Sequence, residues 1–383
     1  MFNRCRIARA QADNLLTRSL IMLQTTVRPT MLMHVSRFPA GLLLAVMAIG
    51  CGESPQVPPE RILSETVISG PTMGTRYTVK LSEMPAGLEE NELKTAIEER
   101  LETINNQMST YRPDSELSRF NRHQATDWFE VSPATFHVVA AAIEMSEVSG
   151  GAFDATVAPL VELWNFGYTK GSDRIPTAAE ISEARIGVGY QKIQVRQQPP
   201  ALRKQDARVS VDLSAIAKGF AVDQIAEYLD QVGVAGFMVE IGGEVRTKGI
   251  KEDGTTWTIG VVSPEQAVRG VHQTVELADR SLATSGDYLN YFEQDGKRYS
   301  HTINPLTGRP VEHSLASVSV VCPECMRADA WATALMVLGP EDGYNLAAER
   351  DLAVLLIVRE DGRFVEKSTP AFDQLVNKSR GIK

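Results

Sequence analysis

Four cysteines in 383 residues (Cys5, Cys51, Cys322 and Cys325) are too few to staple a fold with disulfides, so the chain must stand on an apolar core. Basic runs are missing beyond the first 40 residues, and the net charge is −9. That balance argues against nucleic acid as a partner and excludes a broad positive field for anionic ligands. An acidic chain that takes a phosphorylated ligand must hold it with local dipoles, single cations or a metal. No GxSxG elbow and no Walker-type phosphate loop is present, and IGGEV at Ile241–Val245 lacks the spacing of a GxGxxG fingerprint. Histidine is scarce as well. His123, His137, His272 and His313 show no metal-ligand spacing, which argues against a zinc site. No internal repeat stands out.

The N-terminus reads as a targeting segment. Arg37 precedes the apolar run Phe38–Ile49, which is too short for a permanent bilayer span, and Gly50-Cys51 closes it. The pattern resembles a bacterial lipoprotein signal, which implies cleavage before Cys51 and a lipid on that residue. An ordinary secretory signal or an uncleaved anchor is the alternative, and each of these exports the rest of the chain. Residues 1–50 are thus expected to be an extension plus signal, with Met1, Met31 or Met33 as the start. Residues 51–61 follow as a Pro-rich tether. One catalytic domain is expected over residues 62–383.

Within that domain the hydrophobic period alternates between helix and strand. Thr66–Leu81 predicts a strand interrupted by Gly70, Pro71 and Gly74, with a bulge or a close backbone approach. Leu93, Ile97, Leu101, Ile104 and Met108 mark one face of a helix. A second helix is predicted from Pro133 to Ser149, stopped by Gly150-Gly151. Strands are predicted at Ile193–Val195, Val209–Leu213, around the Gly242-Gly243 bend and at Leu315–Val321. The run from Asp351 predicts a final buried strand. Strands and helices alternate without strict βαβ spacing, so the expected class is α+β, with mixed β-sheets packed by helices.

The organising stretch is Arg208–Asp230. Alternation at Val209, Val211 and Leu213 gives way to helical spacing at Ile216, Phe220, Ile225 and Leu229, with Ser214 at the expected N-cap. A helix N-terminus with Lys218 one turn in, and Asp212 on the strand side, suits a phosphate. It equally suits an ordinary strand-to-helix turn with a solvated lysine. Asp329 and Thr333 lie four apart on a predicted helix and share a face, a partial oxygen site for Mg²⁺ or a dipole-supporting Asp beside a back-bonded Thr. His301 precedes a Pro-Leu-Thr-Gly turn and is either a general base or a structural hydrogen-bonder. Cys322 and Cys325 form a CPEC pair between strand and helix, where a redox role is disfavoured by flanks that do not read as thioredoxin-like.

Eight stretches, in order, carry a resemblance. They are TMGT (Thr72–Thr75), MSTYRPDSELSRFN (Met108–Asn121), GGAFDATVAPLVELWNFG (Gly150–Gly167) and VDLSAIAKGFAVD (Val211–Asp223). EIGGEV (Glu240–Val245), TSGDY (Thr284–Tyr288), HTINPLTGRP (His301–Pro310) and ADAWATALMVLG (Ala328–Gly339) complete the set. Together they resemble the FAD:protein FMN transferases, the ApbE-type flavin transferases of bacteria. The resemblance implies an exported enzyme that splits FAD and joins the FMN half, through its phosphate, to a Thr or Ser hydroxyl of a target protein, releasing AMP. It implies flavin-nucleotide contacts at Met73, Tyr111, Ala152, Phe153, Asp154, Asp212, Lys218 and Ile303. It also implies Mg²⁺ at Asp329, Thr333 and the carbonyl of Ala215, and catalysis at His301, with Asp287 as the rival base. Asn304 stands where the family commonly has Asp, and Ser214 where it commonly has Gly. Expected partners are FAD, exported or membrane-bound acceptor flavoproteins such as redox-complex subunits, and a membrane facing the periplasm or the cell exterior. The rivals are an FAD pyrophosphatase and a non-catalytic flavin-binding lipoprotein.

Overall fold

A β-branched run predicts a strand at Leu315–Val321. Leu315–Cys322 is that strand, and all 8 of its residues are buried. Burial on both faces is the mark of a central strand covered from two sides. The computed structural model describes residues 65–380 apart from 168–173, 263, 265–269, 289 and 295, all within the unit Arg61–Lys383. The targeting segment, Cys51 and the tether lie outside the described residues.

Among the described residues one 8-stranded sheet dominates. Its strands are β1 (Thr66–Thr72), β2 (Thr75–Leu81), β3 (Phe237–Ile241), β4 (Glu244–Lys248), β5 (Ser281–Gly286), β6 (Leu315–Cys322), β7 (Ala353–Glu360) and β8 (Arg363–Ser368). Their order in space is their order in the chain, and each pair is antiparallel. The α+β class is borne out, and the mixed sheets expected from the sequence resolve into antiparallel ladders. A long helical insertion therefore separates two sheet neighbours, β2 and β3. It holds α1 (Glu90–Met108), α2 (Glu116–Arg122), α3 (Pro133–Val148), α4 (Ala158–Leu163), α5 (Ala178–Arg185) and α6 (Ala217–Gln231). Then α7 (Cys325–Leu338) and α8 (Asp342–Glu349) follow β6, and α9 (Pro370–Arg380) follows β8.

Alternation along the strands sorts the core onto two faces. Val354, Leu356 and Val358 join the larger cluster under α1, α6 and α7, whereas Leu355 and Ile357 join a smaller one with Phe372 of α9. The hairpin Trp257–Val262/Val271–Leu277 covers that second face. The strand at β7 is not final, because β8 and α9 continue past it.

Two local expectations fail for identifiable reasons. Thr66–Leu81 is not one bulged strand but the hairpin β1–β2, turned by Met73 (φ 47°) and Gly74 (φ 72°). Two consecutive positive φ angles match the right-handed twist of the paired strands. Val209–Leu213 forms no ladder strand. The Asn121 side chain takes the place of a neighbouring strand: its Oδ1 accepts Val211 N–H and its amide donates to the Val211 carbonyl, each at 2.8 Å. Asp212 N–H then donates to the Ala155 carbonyl at 2.7 Å.

The helices α6 and α7 pack against each other and on the sheet. At their crossing a Cβ on Gly219 would stand 2.4 Å from the Cys325 carbonyl oxygen. Backbone cannot yield as a flexible side chain would, so Gly219→Ala is expected to destabilise the fold by about 3 kcal/mol. Urea unfolding measures it, and a loss near zero would mean that the helices separate freely.

Candidate active site

The helical insertion and the sheet enclose a cleft of about 730 Å³. Tyr111, Ala152, Phe153, Asp154, Asp212, Ala215, Lys218, His301, Ile303, Asp329 and Thr333 all line it, although they span more than 200 positions in sequence. Met73 does not line it. It is partly buried against the main core at the β1–β2 turn, in a left-handed conformation that costs a non-glycine residue about 1 kcal/mol.

The junction before α6 differs from its sequence reading. The helix starts at Ala217, not after Ser214, and the Ser214 hydroxyl donates to Asp212 Oδ1 at 2.5 Å. Ser214 N–H donates to the same oxygen at 2.8 Å, so Asp212 closes an Asx turn that presents Ala215 to the cleft. Asp154 is similarly engaged. Thr156 N–H and Oγ–H donate to its Oδ1 at 2.8 and 2.6 Å, and Tyr190 N–H donates to Oδ2 at 3.0 Å. Burial nevertheless raises its carboxyl above the ordinary range, and those hydrogen bonds only partly offset the effect. Asn304 Oδ1 accepts Leu306 N–H at 2.9 Å. The amide carbonyl thus closes this turn as a carboxylate oxygen would.

Behind the junction lies a charge cluster that sequence reading did not find. Lys218 Nζ is 2.5 Å from the carboxylate of Glu244, the first residue of β4, whose side chain is 3 % exposed. The bend at Gly242 (φ 62°) and Gly243 (φ 104°) aims this strand start inward. Asp329, on α7, accepts Gly219 N–H at Oδ2 (3.0 Å), and Oδ1 accepts no hydrogen bond among the described residues. Burial, and then repulsion from Asp329, push the Glu244 carboxyl up to about 8; burial raises Asp329 too. Burial disfavours the Lys218 charge, but Asp329 and Glu244 outweigh it and hold the ammonium above the ordinary lysine value. The signal for Glu244 in sequence was an acidic residue opening a strand after Gly-Gly. Nothing local distinguishes it from a solvated turn residue.

A cation beside Asp329 would offset the burial and repulsion that raise the Glu244 and Asp329 carboxyls and favour both as carboxylates. Among the described residues no three His, Cys, Asp or Glu side chains gather as metal ligands. An ion here would rest on Asp329, the Thr333 hydroxyl and the Ala215 carbonyl, all hard oxygens that suit Mg²⁺ with water and phosphate completing the shell. The Thr333 hydroxyl is not bonded back along its own helix; it meets Ser285 Oγ of β5 at 3.2 Å.

His301 stands on another wall. Its Nδ1 is 3.0 Å from the Asn290 carbonyl, which can only accept, so the neutral ring carries its proton on Nδ1 and leaves Nε2 as the acceptor. Phe166 meets the ring edge-on, with centroids 6.3 Å apart. Burial lowers the imidazole below its ordinary value of 6.5, the Asn290 carbonyl and Asp287 oppose the shift, and Lys218 adds to it. Asp287 itself is no rival base. Arg359 clamps its two oxygens at 2.8 and 2.6 Å, and it does not line the cleft. Cys322 and Cys325 are both free and buried. Burial pushes the Cys322 thiol up to about 11 and Cys325 well above its ordinary value, which suppresses the thiolates that redox exchange needs.

These features have close counterparts. The ApbE family model matches residues 73–356. An FAD:protein FMN transferase of Vibrio cholerae is 44% identical over 319 residues, covering 83% of this chain and 95% of that protein. One from Escherichia coli (strain K12) is 36% identical over 333 residues, covering 86% and 95%. The solved flavin transferase ApbE of Vibrio cholerae superposes with a TM-score of 0.76 at 43% identity, covering 82% of this chain and 99% of that one. The apo flavinyl transferase ApbE of Pseudomonas stutzeri gives 0.76 at 41% identity, covering 82% and 97%. From motif order, fold and identity sustained over four-fifths of its length, the chain belongs to the ApbE family.

Proposed function

We propose that the cleft transfers the FMN half of FAD to a Thr or Ser hydroxyl of an acceptor protein and releases AMP. The observation that carries this reading is the meeting, in one cleft, of the α6 N-terminus with Lys218, the Asp329–Thr333 face, and an imidazole whose Nε2 is left to accept a proton. Phosphoryl transfer asks a protein mainly for positioning and electrostatics. The acceptor hydroxyl oxygen bonds to the FMN-side phosphorus, the bond from that phosphorus to the bridging oxygen breaks, and AMP departs with the electron pair. The hydroxyl proton passes to His301 Nε2. The Lys218 ammonium, at the positive dipole end of α6, balances charge on the pyrophosphate. Mg²⁺ held by Asp329, Thr333 and the Ala215 carbonyl would supply further charge neutralisation at the phosphates. Tyr111, 60% exposed at the cleft, offers an aromatic face to the nucleotide.

We place the enzyme outside the cytoplasm, tethered through lipid on Cys51 and acting on exported or membrane-bound acceptor flavoproteins. The signal-like run before Cys51 supports this. Incubation with FAD, Mg²⁺ and an acceptor domain should leave flavin fluorescence on the acceptor after denaturation. FMN and AMP in solution beside an unlabelled acceptor would instead mark a pyrophosphatase. Lys218→Met removes the cation paired with Glu244 and should weaken FAD binding about tenfold, read by flavin fluorescence titration. Unchanged affinity would remove Lys218 from the phosphate site.

A further inference from the structure

Neither α6 nor α7 has a side-chain cap from its own segment: Ile216 and Glu324, at the two N-cap positions, make no side-chain capping bond. Each helix is capped by the other. Asp329 of α7 accepts Gly219 N–H in the first turn of α6. In return Asp223 of α6 accepts Cys325 N–H at Oδ1 (2.9 Å) and Met326 N–H at Oδ2 (2.8 Å), the first two residues of α7. Arg246 of β4 completes the arrangement, with its guanidinium 2.5 Å from Asp223 Oδ1. On that strand Glu244 and Arg246 are two apart and so share a face. One pairs with Lys218 and the other with Asp223, so β4 grips α6 at two points.

The two caps are not equivalent. Asp329 lies at the cleft, and its carboxylate answers both to Gly219 and to whatever cation the cleft holds. Asp223 is 6% exposed and does not line the cleft. Its oxygens serve only the α7 N-terminus and Arg246 among the described residues. When Asp329 is drawn toward a cation, Asp223 is the contact that still fixes α7 in depth and rotation against α6. Asp329 lies four positions after Cys325, so a slip at the first turn is delivered to the Asp329 carboxylate about one helical turn away.

We infer that Asp223, braced by Arg246, is a positioning residue that sets the Asp329–Thr333 face for its metal. This rests on the Mg²⁺ site proposed above. In Asp223→Asn one acceptor oxygen becomes an NH₂ that cannot accept, so one N–H of the α7 turn is orphaned and the charge facing Arg246 is lost. The test is an Mg²⁺ titration read by thermal shift, with FAD saturating and acceptor absent, beside kcat as a function of Mg²⁺. Asp223→Asn should raise about tenfold the Mg²⁺ concentration needed for a given rise in melting temperature, and excess Mg²⁺ should restore most of kcat. Arg246→Gln, which keeps both caps, should move it the same way by a smaller factor, and it serves alone if Asp223→Asn does not fold. A lower melting temperature with unaltered Mg²⁺ dependence in the variants would reduce Asp223 to a helix cap and overturn the inference alone. A wild-type protein whose melting does not respond to Mg²⁺ would overturn the metal site and the inference with it.

Discussion

Asp329→Ala is expected to lower flavin transfer by at least about 10³-fold while FAD still binds weakly. Three losses coincide in that substitution. The carboxylate of the oxygen site goes, Gly219 N–H at the head of α6 loses its acceptor, and Lys218 loses one of the two charges that hold it ionised. The second loss costs stability of about 1 kcal/mol, the usual worth of a cap, so the protein should remain folded. The decisive comparison is the response to Mg²⁺. Wild-type melting should rise with Mg²⁺ in the presence of FAD, and that of the variant should not. Undiminished Mg²⁺-dependent turnover would refute the assignment of Asp329 to the metal.

His301→Ala should slow transfer by about 10²- to 10⁴-fold with little change in FAD affinity, as expected when a proton acceptor is removed and binding groups are left in place. Its pH dependence has a definite sign. The competent form is the neutral imidazole, and burial lowers its pKa below 6.5. Activity is therefore held through neutrality and lost as pH falls through the depressed value, placing the acid limb of kcat/KM, which reports the free enzyme, below the ordinary histidine range. That limb should vanish in His301→Ala. Collapse of FAD affinity at an unchanged rate for the bound complex would make His301 a binding residue. An acid limb that survives the substitution would assign the titration to another group.

Long periodic segments were legible. The β-branched run of β6, the apolar face of α1 and the Gly-Gly bend between β3 and β4 declare themselves within a few residues, because each is governed by its own side-chain period or φ requirement. Short segments whose backbone is satisfied from afar were not. Val209–Leu213 has the alternation of a strand, yet its hydrogen-bonding partner is the side chain of Asn121, 90 positions upstream of Val211. Met73-Gly74 reads as an interruption until the pairing of Thr72 with Thr75 makes it a hairpin turn.

The same division runs through the site. Residue types in motif order were enough for the sequence to identify the family and to nominate Lys218, His301, Asp329 and Thr333, since chemistry demands those groups wherever they stand. Their partnership was decided only in three dimensions. Glu244 is 26 residues from Lys218, and Asp223 is 102 residues from the Cys325 amide it caps. A carboxylate becomes a charge partner, a cap or a solvated surface group according to what the fold packs against it. Desolvation and Coulomb terms depend on distances in space, which no local pattern encodes.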